Sequence, residues 1–181
     1  RVCDINNTPQ GAGQIGVVQV KGPNVFKGYW DLPEKTAEEF TADGFFITGD
    51  QGVLSDDGYL TIVGREKDMV ISGGYNIYPK EVEQVIDAIS GVKESAVFGV
   101  PHADFGEAVV AAIVMNGSAV LNSEEIATQS KQQLASYKVP KHCVFLDELP
   151  RNAMGKVQKN QLRKGFNERR GSSGDSDFNS I

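Results

Sequence analysis

The hydrophobic pattern changes its period near residues 64–68, and that change constrains the fold more than any other feature of the chain. Ahead of it, apolar side chains come in short β-prone runs separated by turn residues, as strands require. Ile15, Val17, Val18 and Val20 form one run, ended by Lys21-Gly22-Pro23, and Phe45–Thr48 forms another. Ser55-Asp56-Asp57-Gly58 lies between Gly52-Val53-Leu54 and Tyr59–Val63. An Asp-Gly step between two such runs predicts a β-hairpin with Asp56 and Asp57 at its tip. One short helix is expected here, with Pro33 at a first-turn position and Glu34 to Phe40 following.

Beyond Gly64, helical and strand patterns alternate. Met69-Val70-Ile71 reads as a buried strand ending in Ser72-Gly73-Gly74. Pro79 opens a helix in which Val82, Val85, Ile86 and Ile89 fall at i, i+3, i+4 and i+7, making one apolar face. Glu81 and Glu83 near its start suit the positive end of the helix dipole, and Gly91 stops it. Val92–Val100 and Ala108–Met115 are strands rich in β-branched residues and Ala. Asn122 with Glu125 three residues on forms a capping box for a helix reaching about Ala135. His142–Leu146 reads as a further strand and Asn160–Arg169 as a basic helix. The expected fold class is therefore α+β: a β-rich segment over 1–66, a small α+β domain over 67–168 and a flexible tail over 169–181.

Composition limits the function classes. Of 181 residues, 40% are hydrophobic and 23% charged, inside the globular range. No apolar run approaches the ~20 residues that cross a bilayer, and nothing resembles a signal peptide. Cys3 and Cys143 sit in no ligand spacing, so two thiols in a reducing, cytoplasmic compartment are expected, with a single disulfide as the alternative, and no metal site is expected. Residues 1–66 hold five basic and ten acidic side chains, whereas 67–170 hold thirteen and twelve. Within the latter, Arg151, Lys156, Lys159, Arg163, Lys164, Arg169 and Arg170 face only Glu168 over 149–170. A basic stretch without interleaved aromatics, on an acidic chain, disfavours nucleic acid. It fits a small phosphate-bearing ligand or a solvated helix face about equally.

Two nucleotide motifs fail on context. Gly11-Ala12-Gly13-Gln14-Ile15-Gly16 matches GxGxxG, but a strand follows it where a dinucleotide site needs a helix. Gly155-Lys156 resembles the end of a P-loop, yet Pro150 replaces its first Gly and Val157 its Ser/Thr. His102 and His142 lack any metal-ligand or triad constellation in sequence. On residues alone, Lys156 is a solvated loop lysine.

Five segments taken in order read differently. They are Gly28-Tyr29-Trp30, Thr48-Gly49-Asp50, Gly64-Arg65-Glu66-Lys67-Asp68, Ser72–Glu83 and Pro150–Lys159. Over residues 10–168 this set resembles the C-terminal part of the adenylate-forming enzymes, which include acyl-CoA synthetases and adenylation domains. Gly28–Gly106 and Pro150–Arg163 are most similar to bacterial malonyl-CoA synthetases. The resemblance implies a β-barrel-like piece of a large AMP-binding domain over 1–66, then a hinge and a mobile lid over 67–168. It also implies that an N-terminal domain with the phosphate loop and acyl pocket is missing, and that the isolated chain is inactive.

The resemblance implies a two-step reaction with ATP, its Mg2+ and CoA as partners, the Mg2+ ligands lying outside this sequence. A carboxylic acid, malonate by resemblance, becomes acyl-AMP and is then transferred to CoA. Asp50 matches the residue that accepts hydrogen bonds from the ribose hydroxyls, and Arg65 the cation near ribose and phosphates. Lys156 matches the lysine that meets the carboxylate and α-phosphate in the first step. Lys67 matches the hinge, and Gly73 and Gly74 a turn past which the pantetheine arm runs close to backbone. The rivals are another acyl-CoA synthetase or amino-acid adenylation branch, and a non-catalytic nucleotide- or partner-binding module.

Overall fold

A computed structural model describes residues 1–117 and 121–172, and the chain divides into two compact units, Arg1–Lys67 and Asp68 onward. The first is built on four antiparallel strands in the order β1-β2-β3-β4: β1 (Val2–Cys3), β2 (Ile15–Val20), β3 (Phe46–Leu54) and β4 (Leu60–Arg65). Two runs that read separately in the sequence, Phe45–Thr48 and Gly52–Leu54, join into the single strand β3. They join because β2 and β4 offer ladder partners on both of its sides, which carries Thr48-Gly49-Asp50 through mid-strand. The tip Ser55–Gly58 closes the β3–β4 hairpin through the Ser55 and Tyr59 backbone. Helix α1 (Pro33–Glu39) starts at its proline. Beside it, Phe26 lies edge-on to Tyr29, Phe40 and Phe46, with ring centroids 5.1, 5.5 and 5.0 Å away.

The glycine-rich stretch 11–16 is the turn and strand entry that its context requires. Gly16 sits inside β2, where a Cβ would fall 2.3 Å from the Cys3 carbonyl oxygen. Strand crowding, and no phosphate, accounts for that glycine.

In the second unit, β5 (Val70–Ser72), β6 (Tyr75–Ile77), β7 (Val92–His102) and β8 (Gly106–Met115) form a sheet in the order β6-β5-β8-β7. Strand β9 (His142–Leu146) runs parallel to β8. Helices α2 (Pro79–Asp87) and α3 (Ser123–Ser130) cover one face, and α4 (Lys159–Ser172) covers the other. The continuous apolar run of β8 follows from burial on both faces. Val109, Ala111 and Ile113 pack with Val82 and Ile86 of α2 and Ile126 of α3. Ala108, Val110, Ala112 and Val114 pack with Leu162 and Phe166 of α4.

Several boundaries in this unit differ from the sequence reading. β6 is an unanticipated strand, formed as the second half of a hairpin with β5. The Asn122–Glu125 capping box is present, but α3 ends at Ser130, where its last turn tightens into bonds such as Gln133 N to Ser130 O. Helix α4 continues to Ser172, because its two glycines, Gly165 and Gly171, cost only about 1 kcal/mol each among better helix formers and no Pro follows. Residues 169–172 are thus helical where the sequence reading places a tail, and 173–181 lie outside the described residues.

Both cysteines are free. Burial pushes the Cys143 thiol, on β9, up to about 11. Its neutral form is therefore favoured in the folded state: that stability is whole below the ordinary value of 9.0 and is lost as pH rises through 11. Urea midpoints measured from pH 8 to 11 should fall more steeply for the wild type than for Cys143→Ala. Parallel curves would contradict the assignment.

Candidate functional site

The strand pairing of the first unit places two of the expected residues side by side. Asp50 on β3 and Arg65 at the end of β4 are direct cross-strand partners. Arg65 Nε donates to Asp50 Oδ1 at 2.7 Å, and a guanidinium nitrogen reaches the Thr48 carbonyl at 3.4 Å. Thr48 in turn fixes the turn before Asp50. Its hydroxyl accepts from the Asp50 amide at 3.0 Å and donates to the Val18 carbonyl at 2.8 Å. Both charges remain partly open to solvent, so the carboxylate keeps a free oxygen for a hydroxyl and the guanidinium keeps free donors for an anion.

Lys156 belongs to the second unit, on the loop between β9 and α4. That loop is closed as a small hairpin by the Arg151–Val157 bridge and by Asn152 N to Lys156 O at 2.9 Å. The Asn152 side-chain oxygen accepts from the amides of Met154 and Lys156 at 3.0 and 2.9 Å. Arg151 donates to the Gly155 carbonyl at 2.7 Å. The backbone at Lys156 is therefore held from several sides, while its ammonium is exposed and makes no ion pair among the described residues.

Gly73 and Gly74 form the tight turn joining β5 to β6, with φ of +57° and +81°. Two successive residues in the left-handed region require glycine-like backbones. The Gly73 amide donates to the Phe105 carbonyl at 2.9 Å. Next to the turn, Tyr75 stacks on Tyr137 with ring centroids 4.4 Å apart. Lys67 stands in a short 3-10 turn, Glu66–Asp68, at the division between the units. Its side chain is exposed and makes no ion pair among the described residues.

Several residues of the lysine loop's surroundings escape a sequence reading. Glu83 is buried, in contrast to its assignment to the helix dipole, and pairs with Lys159 at 2.7 Å. The signal was present as spacing, since Pro79, Val82, Glu83 and Ile86 repeat at i, i+3, i+4 and i+7 and are the buried residues of α2. His102 and His142 make ring contacts with Phe105 and Phe166. Among the described residues no three candidate ligands cluster as a metal site, and no helix is long and apolar enough to cross a membrane.

Residues 81–156 match the AMP-binding enzyme C-terminal domain family. The chain is 47% identical over 152 residues to a (7a-methyl-1,5-dioxo-octahydro-1H-inden-4-yl)propanoyl:CoA ligase of Rhodococcus jostii, covering 84% of this chain and 30% of that protein. It is 42% identical to a feruloyl-CoA synthase of Amycolatopsis, covering 92% of the chain and 34% of the relative. Among solved structures, ATP-bound MatB from Rhodopseudomonas palustris superposes with a TM-score of 0.89 at 54% identity, over 93% of this chain and 34% of that one. The chain thus spans about a third of the length of the proteins it matches.

Proposed function

The chain belongs to the adenylate-forming AMP-binding enzymes, and on that premise we propose that it is the lysine-bearing C-terminal portion of an acyl-CoA ligase whose acid is malonate. The observation that carries the reading is Lys156, a solvent-facing cation with no ion pair among the described residues, on a loop whose backbone is pinned by Asn152 and Arg151.

In the first step a carboxylate oxygen of the acid attacks the α-phosphorus of MgATP. The bond to the β-phosphate oxygen breaks, pyrophosphate leaves and acyl-AMP forms. Two anions must meet, so a cation placed at the carboxylate and α-phosphate lowers the barrier by orienting the pair and offsetting charge. Lys156 fills that role. Asp50 receives the ribose hydroxyls, and Arg65 holds Asp50 in place while offering its remaining donors to the nucleotide. In the second step CoA thiolate attacks the acyl carbonyl and AMP departs. The Gly73–Gly74 turn lets the pantetheine arm approach backbone, and rotation at Lys67 exchanges the lysine loop for this turn.

Malonate is supported by the likeness of Gly28–Gly106 and Pro150–Arg163 to malonyl-CoA synthetases and by the identity to MatB. Pyrophosphate release should be compared with malonate, a long-chain fatty acid and ferulate, using the chain joined to its N-terminal domain. Malonate is expected to give the highest kcat/KM, and the 181-residue chain alone to give no release. Release by the chain alone, or indifference to the acid, contradicts the corresponding part of the reading.

A further inference from the structure

We propose that Glu83 acts through Lys159 as a positioning residue for Lys156, fixing the outgoing end of the lysine loop. The proposal rests on Lys156 being the adenylating lysine. Loop and helix are continuous here: Gln158 N donates to Pro150 O at 2.8 Å, and Lys159 is the first residue of α4. Lys159 Nζ lies 2.7 Å from Glu83 Oε1, and the same oxygen accepts from the Val97 amide of β7 at 2.9 Å. Both side chains are largely withdrawn from water, at 17% and 10% exposure.

The incoming end is tied to the same strand, because Arg151 pairs with Glu94 of β7 while donating to the Gly155 carbonyl. Glu94 and Val97 stand three residues apart on β7. One strand thus sets both ends of a nine-residue loop, Pro150–Gln158, with Lys156 near its outgoing end. Stability alone does not require a withdrawn ion pair at this point, since apolar residues of similar volume often serve as well or better. What the pair adds is a fixed direction for the backbone that leaves Lys156, and the in-line attack on phosphorus is sensitive to displacements of about 1 Å, worth ~100-fold.

Lys159→Met, which keeps the stem and removes the donor, and Glu83→Gln, which keeps an acceptor for the Val97 amide, are the informative variants in the intact ligase. Acyl-AMP formation is expected to fall about 10- to 100-fold in kcat with KM for ATP little changed. Conversion of supplied acyl-AMP to acyl-CoA should stay within about twofold of wild type, which also reports an intact fold. In a Lys156→Ala background, Lys159→Met should lower adenylation no further, as expected when one residue acts through the other. Unchanged adenylation, parallel loss in both half-reactions, or an additive loss in the Lys156→Ala background overturns the proposal. Normal adenylation by Lys156→Ala itself overturns the functional reading, and the positioning role with it.

Discussion

Replacing Lys156 by alanine in the intact ligase is expected to slow acyl-AMP formation by about 10²- to 10³-fold, the loss typical of a single group aimed at developing charge. The expectation is selective because the loop geometry does not use this side chain. Asn152 organises the turn through the Met154 and Lys156 amides, and Arg151 ties down the Gly155 carbonyl, so alanine leaves the backbone in place. Acyl-AMP supplied to the variant should therefore be converted to acyl-CoA at a near-normal rate, because the role proposed for the lysine is confined to the first step. Rapid-quench measurement of each half-reaction decides the matter. Equal loss in both would assign Lys156 a structural part and remove it from the chemistry.

The hinge variant Lys67→Pro should produce the opposite split from one change in the backbone. Proline holds φ near −65°, within the range of the 3-10 turn Glu66–Asp68, and disfavours helical backbone at Glu66, so rotation at this residue is lost. Adenylation should persist while thioester formation falls by ~100-fold or more, since the second pose can no longer be reached. Lys67→Ala should retain both steps, because the Lys67 ammonium makes no ion pair among the described residues. Single-turnover kinetics on the two variants separates these outcomes. Intact thioesterification in Lys67→Pro would move the hinge to another residue.

How far a sequence reveals such a site depends on whether the relevant chemistry is local. The β3–β4 tip, the proline-led helices and the Asn122 cap are encoded within a few residues, and they stand where the spacing places them. Lys156, Asp50 and Arg65 were legible only as a set, through resemblance; singly, each reads as an ordinary surface charge. Their pairing was not legible at all, because Asp50 meets Arg65 only when β3 and β4 take a register that includes a bulge at Gln51–Gly52. Glu83 shows the limit most sharply. Two stripes of α2 fit the helical period, and choosing the wholly apolar one hid a carboxylate whose partner lies 76 residues away. Long-range ion pairs leave no local trace in a chain read by period.

The two units are each continuous in sequence, and their sheets share no strand: β4 ends at Arg65 and β5 begins at Val70. Exchange between genes therefore needs only one crossover, placed in the four codons between those residues, to move the entire lysine-bearing unit. No ladder is cut, and Glu83, Glu94, Arg151 and Lys159 travel together with Lys156 as an inherited block. Whatever stands on the far side of the junction, the lysine loop and the groups that hold its two ends are passed on as one piece.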